Sequence, residues 1–496
     1  MEGLWFMNKW KRTLSVLLVG AMTVGTFTSV SGCGKKDETG ETIVIRILEN
    51  DTAKKEGYLD ELINAFNEEY KDKGIQAVDA NMDEYSNLAE NGPYGYGPDV
   101  IYQANDKLMT YAEDKHILPL NVEDFECYQY TPKEAWDAFS IQVDGKNYCC
   151  GIPVNIQEPM LFYRLDMLPD NWEKDWDDNK DNTPDFLQNW NDLYAYSKLL
   201  RDTDSSKNKD SQFGFMSSLN NLYMNGEFLF SYGAYVFGKN SDGILDAKDI
   251  GFAKKDAAKG LGAMKQFAAL MDEGCIDDTI IANRYEKLAD GSYFAAVSTP
   301  DTYVLFFNKL VLHYQEDGLS EKEAQEKAKT NLMMVELPAK LPKDGDLSKD
   351  AATMSDSDWV DSVVMGGVNG YGISSYTKHK DACIAFVNFA TSSTMIQKRM
   401  ELLGIAPTRS DVAASSGGVT DMIFKSLEGG RIYLMPSIKA VDQIWTPVQT
   451  LMGDVAKDPF RANAKEEEKY KNEKALQEAL EKVSKDVYDA IYTLVE

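Results

Sequence analysis

The stretch that most constrains the fold is a short apolar run at residues 100–102, placed between a Gly/Pro-rich turn and a group of polar side chains. Apolar residues on both faces of such a run predict a buried strand of a parallel sheet. In open α/β sheets, ligands bind beyond the carboxyl ends of the strands. The polar residues after this strand are therefore predicted to meet a ligand, although an ordinary polar loop would have the same composition: Gln103, Asn105, Asp106 and Lys107.

The segments before this strand predict the rest of a βαβ unit. Residues 43–48 and 75–78 have the apolar character of two more strands, and apolar residues recur at helical spacing between positions 58 and 70. A polar segment at residues 49–52, which contains Asp51, follows the first strand and could also face the ligand. The chain is therefore predicted to have an α/β fold.

The N-terminus has the features of a bacterial lipoprotein signal, whether translation starts at Met1 or at Met7. Basic residues precede an apolar run at 14–30, as in a secretory signal peptide. Small residues then precede Cys33, a pattern that resembles a lipobox and implies that Cys33 becomes the diacylated first residue of the mature chain. Residues 1–32 are predicted to be removed. Residues 33–41 are predicted to form a flexible, lipid-anchored tether on the extracytoplasmic side of the cell membrane.

The formal charge of −28 argues against several kinds of partner. An acidic surface opposes binding to nucleic acid and to anionic lipid, and it suits an extracytoplasmic protein whose ligand is not a polyanion. Five cysteines besides Cys33 and three histidines show no metal-ligand spacing, so we interpret these cysteines as small buried residues and expect no cofactor. A length of 496 residues predicts roughly two large domains.

One acidic segment, at residues 172–190, allows two interpretations. Asp177, Asn179 and Asp181 alternate with other residues as the oxygen ligands of a calcium loop do. The glycine and the closing glutamate of an EF-hand loop are missing from this segment. A solvated acidic insertion is therefore the favoured interpretation, and a calcium site is the alternative.

Strands later in the chain are also predicted to end in polar or aromatic side chains. Glu158 precedes a strand at residues 160–163, in a segment predicted to cross toward a second sheet. A strand at residues 332–337 is predicted to return the chain to the first sheet. Two further predicted strands lead to pairs of candidate ligand contacts: Asn221 and Tyr223 after residues 213–216, and Asp301 and Tyr303 after residues 293–297.

Three motifs are familiar in combination. Residues 97–107 read G-P-D-V-I-Y-Q-A-N-D-K, residues 161–169 read L-F-Y-R-L-D-M-L-P, and residues 429–436 read G-G-R-I-Y-L-M-P ahead of Trp445. Together they resemble the family 1 extracellular solute-binding proteins of sugar ABC transporters, with the maltose- and maltodextrin-binding proteins as the nearest group. The resemblance extends over nearly all of residues 42–496.

This resemblance implies a periplasmic-binding-protein-like fold of type II topology, in which hinge strands join two α/β lobes around a ligand cleft. Lobe 1 is expected to comprise residues 42–155 and 333–394, and lobe 2 residues 156–332 and 395–496. The resemblance further implies a monomeric protein without enzymatic activity. It would bind an oligosaccharide, a maltodextrin or related glucan, and deliver it to the permease subunits of an ABC transporter.

The resemblance also implies roles for individual residues. Asp106 and Lys107 match an Asp-Arg pair that grips sugar hydroxyls, although lysine lacks the planar fork of arginine. Glu158 matches a carboxylate contact from the hinge region, and Tyr223 and Trp445 match stacking aromatic residues. Three neighbouring tyrosines could restore aromatic surface: Tyr94, Tyr102 and Tyr303. Four further contact positions depart from the maltose binders: Gln103 and Asp301 in place of tryptophan, Asn221 in place of glutamate, and Gln449 in place of arginine.

Two other functions fit parts of the same residue set. A secreted glycoside hydrolase needs two carboxyls that flank the scissile bond, and Asp106 with Glu158 could supply them. No nucleophile or acid motif accompanies these two residues. A binder of a cationic solute, such as a polyamine or a peptide, could use Asp106, Glu158 and Asp301 together.

Overall fold

The computed structural model describes residues 42–493, except for residues 85, 144–145, 181–182, 203–212, 242–244, 255 and 417. The predicted signal peptide, the predicted lipidation site Cys33 and the predicted tether lie outside these residues. No helix in the described part of the chain is both long and apolar enough to cross a membrane. The five cysteines after Cys33 are buried and carry free thiols, which confirms their interpretation as small core residues.

Strands and helices alternate along most of the chain. The strands are β1 (Ile43–Leu48), β2 (Ile75–Asp79), β3 (Val100–Ala104), β4 (Ser140–Val143), β5 (Lys146–Cys149), β6 (Ile152–Gln157), β7 (Met160–Arg164), β8 (Tyr235–Lys239), β9 (Leu245–Gly251), β10 (Ala295–Ser298), β11 (Leu332–Glu336), β12 (Lys340–Pro342), β13 (Trp359–Asp361), β14 (Val364–Ile373), β15 (Ala406–Pro407) and β16 (Ile432–Leu434). The α-helices are α1 (Asp51–Lys55), α2 (Tyr58–Tyr70), α3 (Leu88–Asn91), α4 (Asn105–Glu113), α5 (Lys133–Asp137), α6 (Trp172–Asp175), α7 (Trp190–Asp202), α8 (Leu222–Asn225), α9 (Glu227–Phe230), α10 (Ala257–Ala268), α11 (Arg284–Ala289), α12 (Tyr303–Glu316), α13 (Glu321–Asn331), α14 (Lys380–Ala390), α15 (Ser393–Leu403), α16 (Ser410–Ser416), α17 (Gly418–Glu428), α18 (Trp445–Lys457) and α19 (Glu473–Thr493).

The first sheet has the strand order β15-β6-β14-β3-β1-β2, and β16 pairs with β14 beside it. β1 runs parallel to β2 and β3, whereas β14 runs antiparallel to β3 and β6. Val100, Ile101 and Tyr102 are buried, which confirms the strand predicted from the apolar run. The polar residues after β3 do not form a loop, because α4 begins at Asn105, directly after the strand.

The helix predicted between the first two strands is confirmed as α2. Leu59, Leu62 and Phe66 recur at helical spacing and are buried. α2 packs against β2 and covers one face of the sheet, together with α14 and α15. Burial of this apolar stripe is what holds the βαβ unit together, since removing apolar surface from water stabilises the folded chain by about 25 cal/mol per Å².

The second sheet contains β10, β7 and β11, with β7 in the centre. The prediction that residues 332–337 return the chain to the first sheet is wrong, because β11 pairs antiparallel with β7 along its whole length. The apolar pattern of this strand is correct, but a pattern alone does not specify the partner strand. The chain returns to the first sheet later, in β14.

The C-terminal part of the chain divides between the two sheets. β15 pairs with β6 of the first sheet, and α15 packs against α2, where Tyr58 donates a hydrogen bond to the backbone oxygen of Met395 (3.4 Å). These contacts attach α15 and β15 to the first sheet, although the expected boundary at 395 assigns most of α15 and the whole of β15 to lobe 2. By contrast, α18 and α19 pack against α10. The lobe boundaries themselves stay a prediction.

Candidate functional site

The chain crosses from the first sheet to the second at Glu158, which lies between β6 and β7. At this crossing Gln157 of β6 pairs with Gly367 of β14. Tyr223 of α8 donates a hydrogen bond from its hydroxyl to the backbone oxygen of Gln157 (3.0 Å). The side chain of Tyr223 therefore lies directly against the strand that connects the two sheets.

Three of the predicted ligand contacts carry carboxyls that act on the hydroxyl of a fourth, Tyr223. Burial raises the pKa of Tyr223, and the carboxyls of Asp301, Glu158 and Asp106 raise it further. These three carboxyls are therefore within electrostatic range of the hydroxyl. The structure thus brings Asp106, Glu158, Tyr223 and Asp301 together from four separate segments of the chain.

Glu158 is the most deeply buried of these carboxyls, with 2 % of its surface exposed. Its Oε1 atom has no hydrogen-bond partner among the described residues. Burial raises the pKa of Glu158 well above its usual value, and the nearby Glu336 raises it further, against an opposing effect of Arg431. Arg431 is already engaged, since its Nη1 atom lies 3.0 Å from Oε2 of Glu336. Glu158 is therefore a buried acid with one oxygen open to a donor.

Asp106 is half-buried at the second position of α4. Burial raises the pKa of its carboxyl to about 6, with a further contribution from the nearby Asp442. Its neighbour Asn105 is fully buried and donates hydrogen bonds to the backbone oxygen of Met435 (2.9 Å) and to Oγ of Ser437 (3.0 Å). The prediction that Asn105 meets a ligand is wrong, because these bonds occupy both of its N–H donors and fix the start of α4 instead.

The pKa of Asp301 responds to a carboxyl that the sequence pattern did not single out, Glu84. Burial raises this pKa and Glu84 raises it by a smaller amount, whereas a hydrogen bond with Thr299 and the charge of Arg284 lower it. Oδ1 of Asp301 has no hydrogen-bond partner in the described part of the chain. Glu84 follows β2, so the rule about strand ends that identified Asp106 could also have identified Glu84.

Two predicted ligand contacts position the segment that carries Glu84. Gln103 donates a hydrogen bond from Nε2 to the backbone oxygen of Glu84 (2.6 Å), and the backbone N–H of Asp51 donates to Oε2 of Glu84 (2.6 Å). The segment predicted as a polar loop at residues 49–52 is in fact the start of α1, because the side chain of Asn50 caps this helix. Gln103 and Asp51 therefore hold the segment that carries Glu84, and ligand contact by either of them stays a prediction.

Two other predicted contacts have partners within the protein. The side chain of Asn221 accepts a hydrogen bond from the backbone N–H of Tyr223 (2.9 Å) and so caps α8. Nε2 of Gln449 donates to Oδ2 of Asp278 (2.6 Å). Asn221 thus fixes the backbone that presents Tyr223, while Gln449 belongs to a network around Asp278.

The remaining predicted contacts are less buried. Trp445 is half-buried at the first position of α18, and α18 packs against α8, the helix that carries Tyr223. Tyr303 is half-buried and its ring stacks on Phe307, with 6.3 Å between the ring centroids. Lys107 is exposed, with its ammonium over a neighbouring tyrosine ring. Ligand contact by these three side chains stays a prediction.

Two other regions of the molecule contain an acidic segment and a surface cavity. In the acidic segment, Asp177 is buried, and Asp181 lies outside the described residues. Within the described residues, no group of three or more His, Cys, Asp or Glu side chains could hold a metal ion. A surface cavity of about 480 Å³ lies between α10 and residues 468–473, and none of the predicted ligand contacts lines it.

Comparison with known proteins agrees with the two-sheet architecture. Residues 61–425 match the family model of the bacterial extracellular solute-binding proteins. The galactooligosaccharide-binding protein of Bacillus subtilis is 24% identical over 438 residues, which cover 86% of this chain and 89% of that protein. The maltodextrin-binding protein MdxE of the same organism is 22% identical over 453 residues, which cover 90% and 93% of the two chains.

A solved structure extends this likeness to three dimensions. The extracellular solute-binding protein from Staphylococcus aureus, in complex with maltose, superimposes with a TM-score of 0.62 at 19% identity. The match covers 92% of this chain and 100% of the Staphylococcus aureus chain. The predicted periplasmic-binding-protein-like fold of type II topology is thereby confirmed.

Proposed function

Because the chain belongs to the bacterial extracellular solute-binding protein family, we propose that it binds an oligosaccharide between its two lobes and delivers it to the permease subunits of an ABC transporter. The names of the two relatives from Bacillus subtilis support a maltodextrin or a galactooligosaccharide as the class of ligand. In this proposal the protein is a monomer that releases the sugar unaltered, and the diacylated Cys33 anchors it to the cell membrane.

The observation that carries this proposal is the cluster of Asp106, Glu158, Tyr223 and Asp301 at the crossing between the two sheets. A sugar presents pairs of hydroxyls around its edge and an apolar face of C–H groups. Carboxyl oxygens accept hydrogen bonds from the hydroxyls, and an aromatic ring covers the apolar face with a large rigid surface. The cluster contains both kinds of group within one small region.

Closure of the lobes around the sugar would use the strands at the crossing as a hinge. Glu158 lies on the connection from β6 to β7, and Tyr223 contacts that connection through Gln157. A sugar hydroxyl bound to Oε1 of Glu158 would satisfy an acceptor that lacks a partner among the described residues. Ligand binding would therefore stabilise the arrangement of the two lobes at the hinge itself.

Trp445, Tyr303, Lys107, Gln103, Asn221, Gln449 and Asp51 complete the proposed contact set. Asp51 and Gln103 contribute by holding Glu84, and Asn221 contributes by holding Tyr223. The aromatic rings of Trp445 and Tyr303 would bind further sugar units of a longer chain. In an oligosaccharide series, affinity should therefore rise with chain length until these rings are covered.

Isothermal titration calorimetry with a maltodextrin series and a galactooligosaccharide series tests this proposal. We expect at least one series to bind, and Tyr223→Ala to weaken that binding by about 1–3 kcal/mol, because it removes both ring surface and the contact to Gln157. Tyr96→Ala is the matched control, since Tyr96 is 72% exposed and lies just before β3, at the opposite end of this strand from the predicted contacts. The affinity of this control variant for the sugar should equal that of the unmodified protein.

Two outcomes would contradict the proposal. Absence of heat from every sugar would overturn oligosaccharide binding. Shortening of the sugars during incubation, detected by chromatography, would instead support the hydrolase interpretation with Asp106 and Glu158 as its two carboxyls.

A further inference from the structure

Two of the aromatic side chains proposed to bind the sugar stand on different helices. Tyr223 is the second residue of α8, which has only 4 residues, and Trp445 is the first residue of α18, which has 13 residues. A helix as short as α8 is not stable by itself, so its position depends on contacts with the rest of the protein. One sugar chain can cover both rings only if the two helices keep a fixed separation.

One side of α18 faces the chain segment that leads into α8. Trp445, Gln449 and Gly453 follow one another at intervals of four residues and therefore lie on the same side of the helix. Nε2 of Gln449 donates a hydrogen bond to Oδ2 of Asp278 (2.6 Å). A Cβ atom added at Gly453 would lie 3.3 Å from Cβ of Asn220, so the backbone of α18 approaches this segment closely. Trp445 thus begins the row of residues by which α18 contacts Asp278 and Asn220.

Asp278 connects this side of α18 to the segment before α8. Its Oδ1 atom accepts a hydrogen bond from Oγ of Ser218 (2.7 Å), and its Oδ2 atom accepts one from Nδ2 of Asn220 (3.0 Å) in addition to the bond from Gln449. Ser218 and Asn220 are both buried. The backbone oxygen of Ser218 in turn accepts a hydrogen bond from Nδ2 of Asn225, which lies within α8 (2.7 Å). A single carboxylate therefore joins α18 to α8 through side-chain hydrogen bonds.

The bonding of Asp278 differs from that of Glu158. Both oxygens of Asp278 accept hydrogen bonds from protein groups, and all three donors are neutral. Oε1 of Glu158, by contrast, has no donor among the described residues. Asp278 is therefore suited to hold protein groups in place, whereas Glu158 offers a sugar hydroxyl an open acceptor.

We infer that Asp278 is a positioning residue, which holds Tyr223 and Trp445 at the separation that one sugar chain spans and so determines how much affinity rises with chain length. This inference rests on the proposed function and concerns the chain-length preference of the same site. Without the carboxylate, Gln449 and Asn220 lose their shared acceptor and α18 can shift relative to α8. The ring of Trp445 must then be ordered during binding, which reduces the affinity that it contributes.

Calorimetry with a sugar series measures the gain in affinity, defined as the Kd of the shortest sugar that binds divided by the Kd of the tetrasaccharide. The series runs from maltose to maltotetraose, or through the matching galactooligosaccharides if those bind instead. Asp278→Ala should reduce the gain about fivefold and change the affinity for the shortest sugar less than about twofold. Asp278→Asn should retain most of the gain. Its amide oxygen can accept from Gln449 and Asn220, and its amide N–H can donate to the hydroxyl of Ser218.

Lys457→Met is the matched control for the attachment of α18. Lys457 lies two turns beyond Gln449 on the same side of α18, and its ammonium pairs with Asp277, the residue next to Asp278 (2.7 Å). This variant removes a second connection between the same two segments, at a point farther from Trp445, and should leave the gain unchanged.

Thermal unfolding followed by circular dichroism separates positioning from general stability. The melting temperature of Asp278→Ala should lie within about 3 °C of that of the unmodified protein, because Asp278 is exposed. A larger fall would make Asp278 a residue of general stability and would overturn the inference.

A double variant tests whether Gln449 acts through Asp278. Gln449→Met should reduce the gain, and its combination with Asp278→Ala should reduce the gain by less than the product of the two separate reductions, because both remove the same bond. Reductions that multiply in the double variant would overturn the inference, as would a full gain in Asp278→Ala or an equal loss in Lys457→Met.

The same titrations distinguish the inference from the proposed function. If the unmodified protein binds sugars without any gain with chain length, the inference is overturned and oligosaccharide binding stays intact. Absence of heat from every sugar overturns the proposed function and the inference with it.

Discussion

Glu49 and Glu158 each follow the last residue of a strand in the first sheet, and both are almost completely buried, yet their surroundings differ. The two oxygens of Glu49 accept hydrogen bonds from Nη1 (2.7 Å) and Nη2 (3.1 Å) of Arg399, and the hydroxyl of Tyr371 also donates to Glu49. Oε1 of Glu158 has no partner among the described residues, and Glu336 opposes its charge.

This difference separates a structural carboxyl from the carboxyl that we propose binds the ligand. A buried carboxylate is costly unless its charge and its lone pairs are matched. Glu49 meets both conditions, and Arg399 further packs over the rings of Tyr58 (4.8 Å) and Tyr102 (4.1 Å), so that Glu49 connects α15 to the strands of the first sheet. Glu158 has no cation paired with its charge, and its Oε1 atom has no partner among the described residues. These are the properties expected of a carboxyl that binds a ligand.

The largest expected effect in this comparison comes from Arg399→Met. This change leaves Glu49 as an uncompensated buried charge, and should lower the free energy of unfolding by about 3–5 kcal/mol. Urea denaturation followed by circular dichroism measures the loss. Lys398→Met is the matched control at the next residue, where the ion pair with Glu61 is at the surface, and should change stability by less than about 0.5 kcal/mol. If the two substitutions lowered the free energy of unfolding equally, a structural role for Glu49 would be contradicted.

A smaller effect, on binding and not on folding, is expected from Glu158→Gln. The substitution removes a buried acid without a matched cation, so the stability of the unliganded protein should stay constant or rise slightly. Affinity for the oligosaccharide should fall about tenfold, or about 1.4 kcal/mol, because an acceptor in the site is replaced by a weaker one. Glu49→Gln provides the contrast, since it should lower stability. If Glu158→Gln lowered stability as much as Glu49→Gln does, both carboxyls would be structural and the contrast between them would be contradicted.

The smallest expected effect concerns the pH dependence of stability through Asp106. The folded-state pKa of this carboxyl is about 6, above its ordinary value of 3.8, so the folded protein holds the proton more tightly than the unfolded chain does. The resulting stabilisation is fully present below about pH 4 and is lost as the pH rises through 6. Between about pH 5 and 7 the protein should lose about 1 kcal/mol relative to Asp106→Asn, as measured by urea denaturation. A constant difference over this interval would contradict the buried position of Asp106.

Much of the first sheet was predictable because its signals are local. The apolar run at residues 100–102 and the helical spacing in α2 depend on neighbours a few positions away, and both predictions are confirmed. The rule about strand ends also selected Asp106 and Asp301 as candidate contacts, and their contact with a ligand stays a prediction, as does that of Glu158 from the predicted crossing segment. The rule failed for Asn105 and for the segment at 49–52, where helices begin immediately after the strands and use the polar groups as anchors and caps.

Short segments of the chain specify the α/β class, the order of the early elements and the residue types that a sugar site needs, since periodicity and strand ends are local properties. Which carboxyl is satisfied depends instead on contacts between distant segments. The partner of Glu49 lies 350 positions away at Arg399, and Glu336 opposes Glu158 from β11, a strand whose place in the second sheet the pattern did not reveal. The energetic state of a buried charge depends on every group packed around it, and those groups are assembled only when the chain folds.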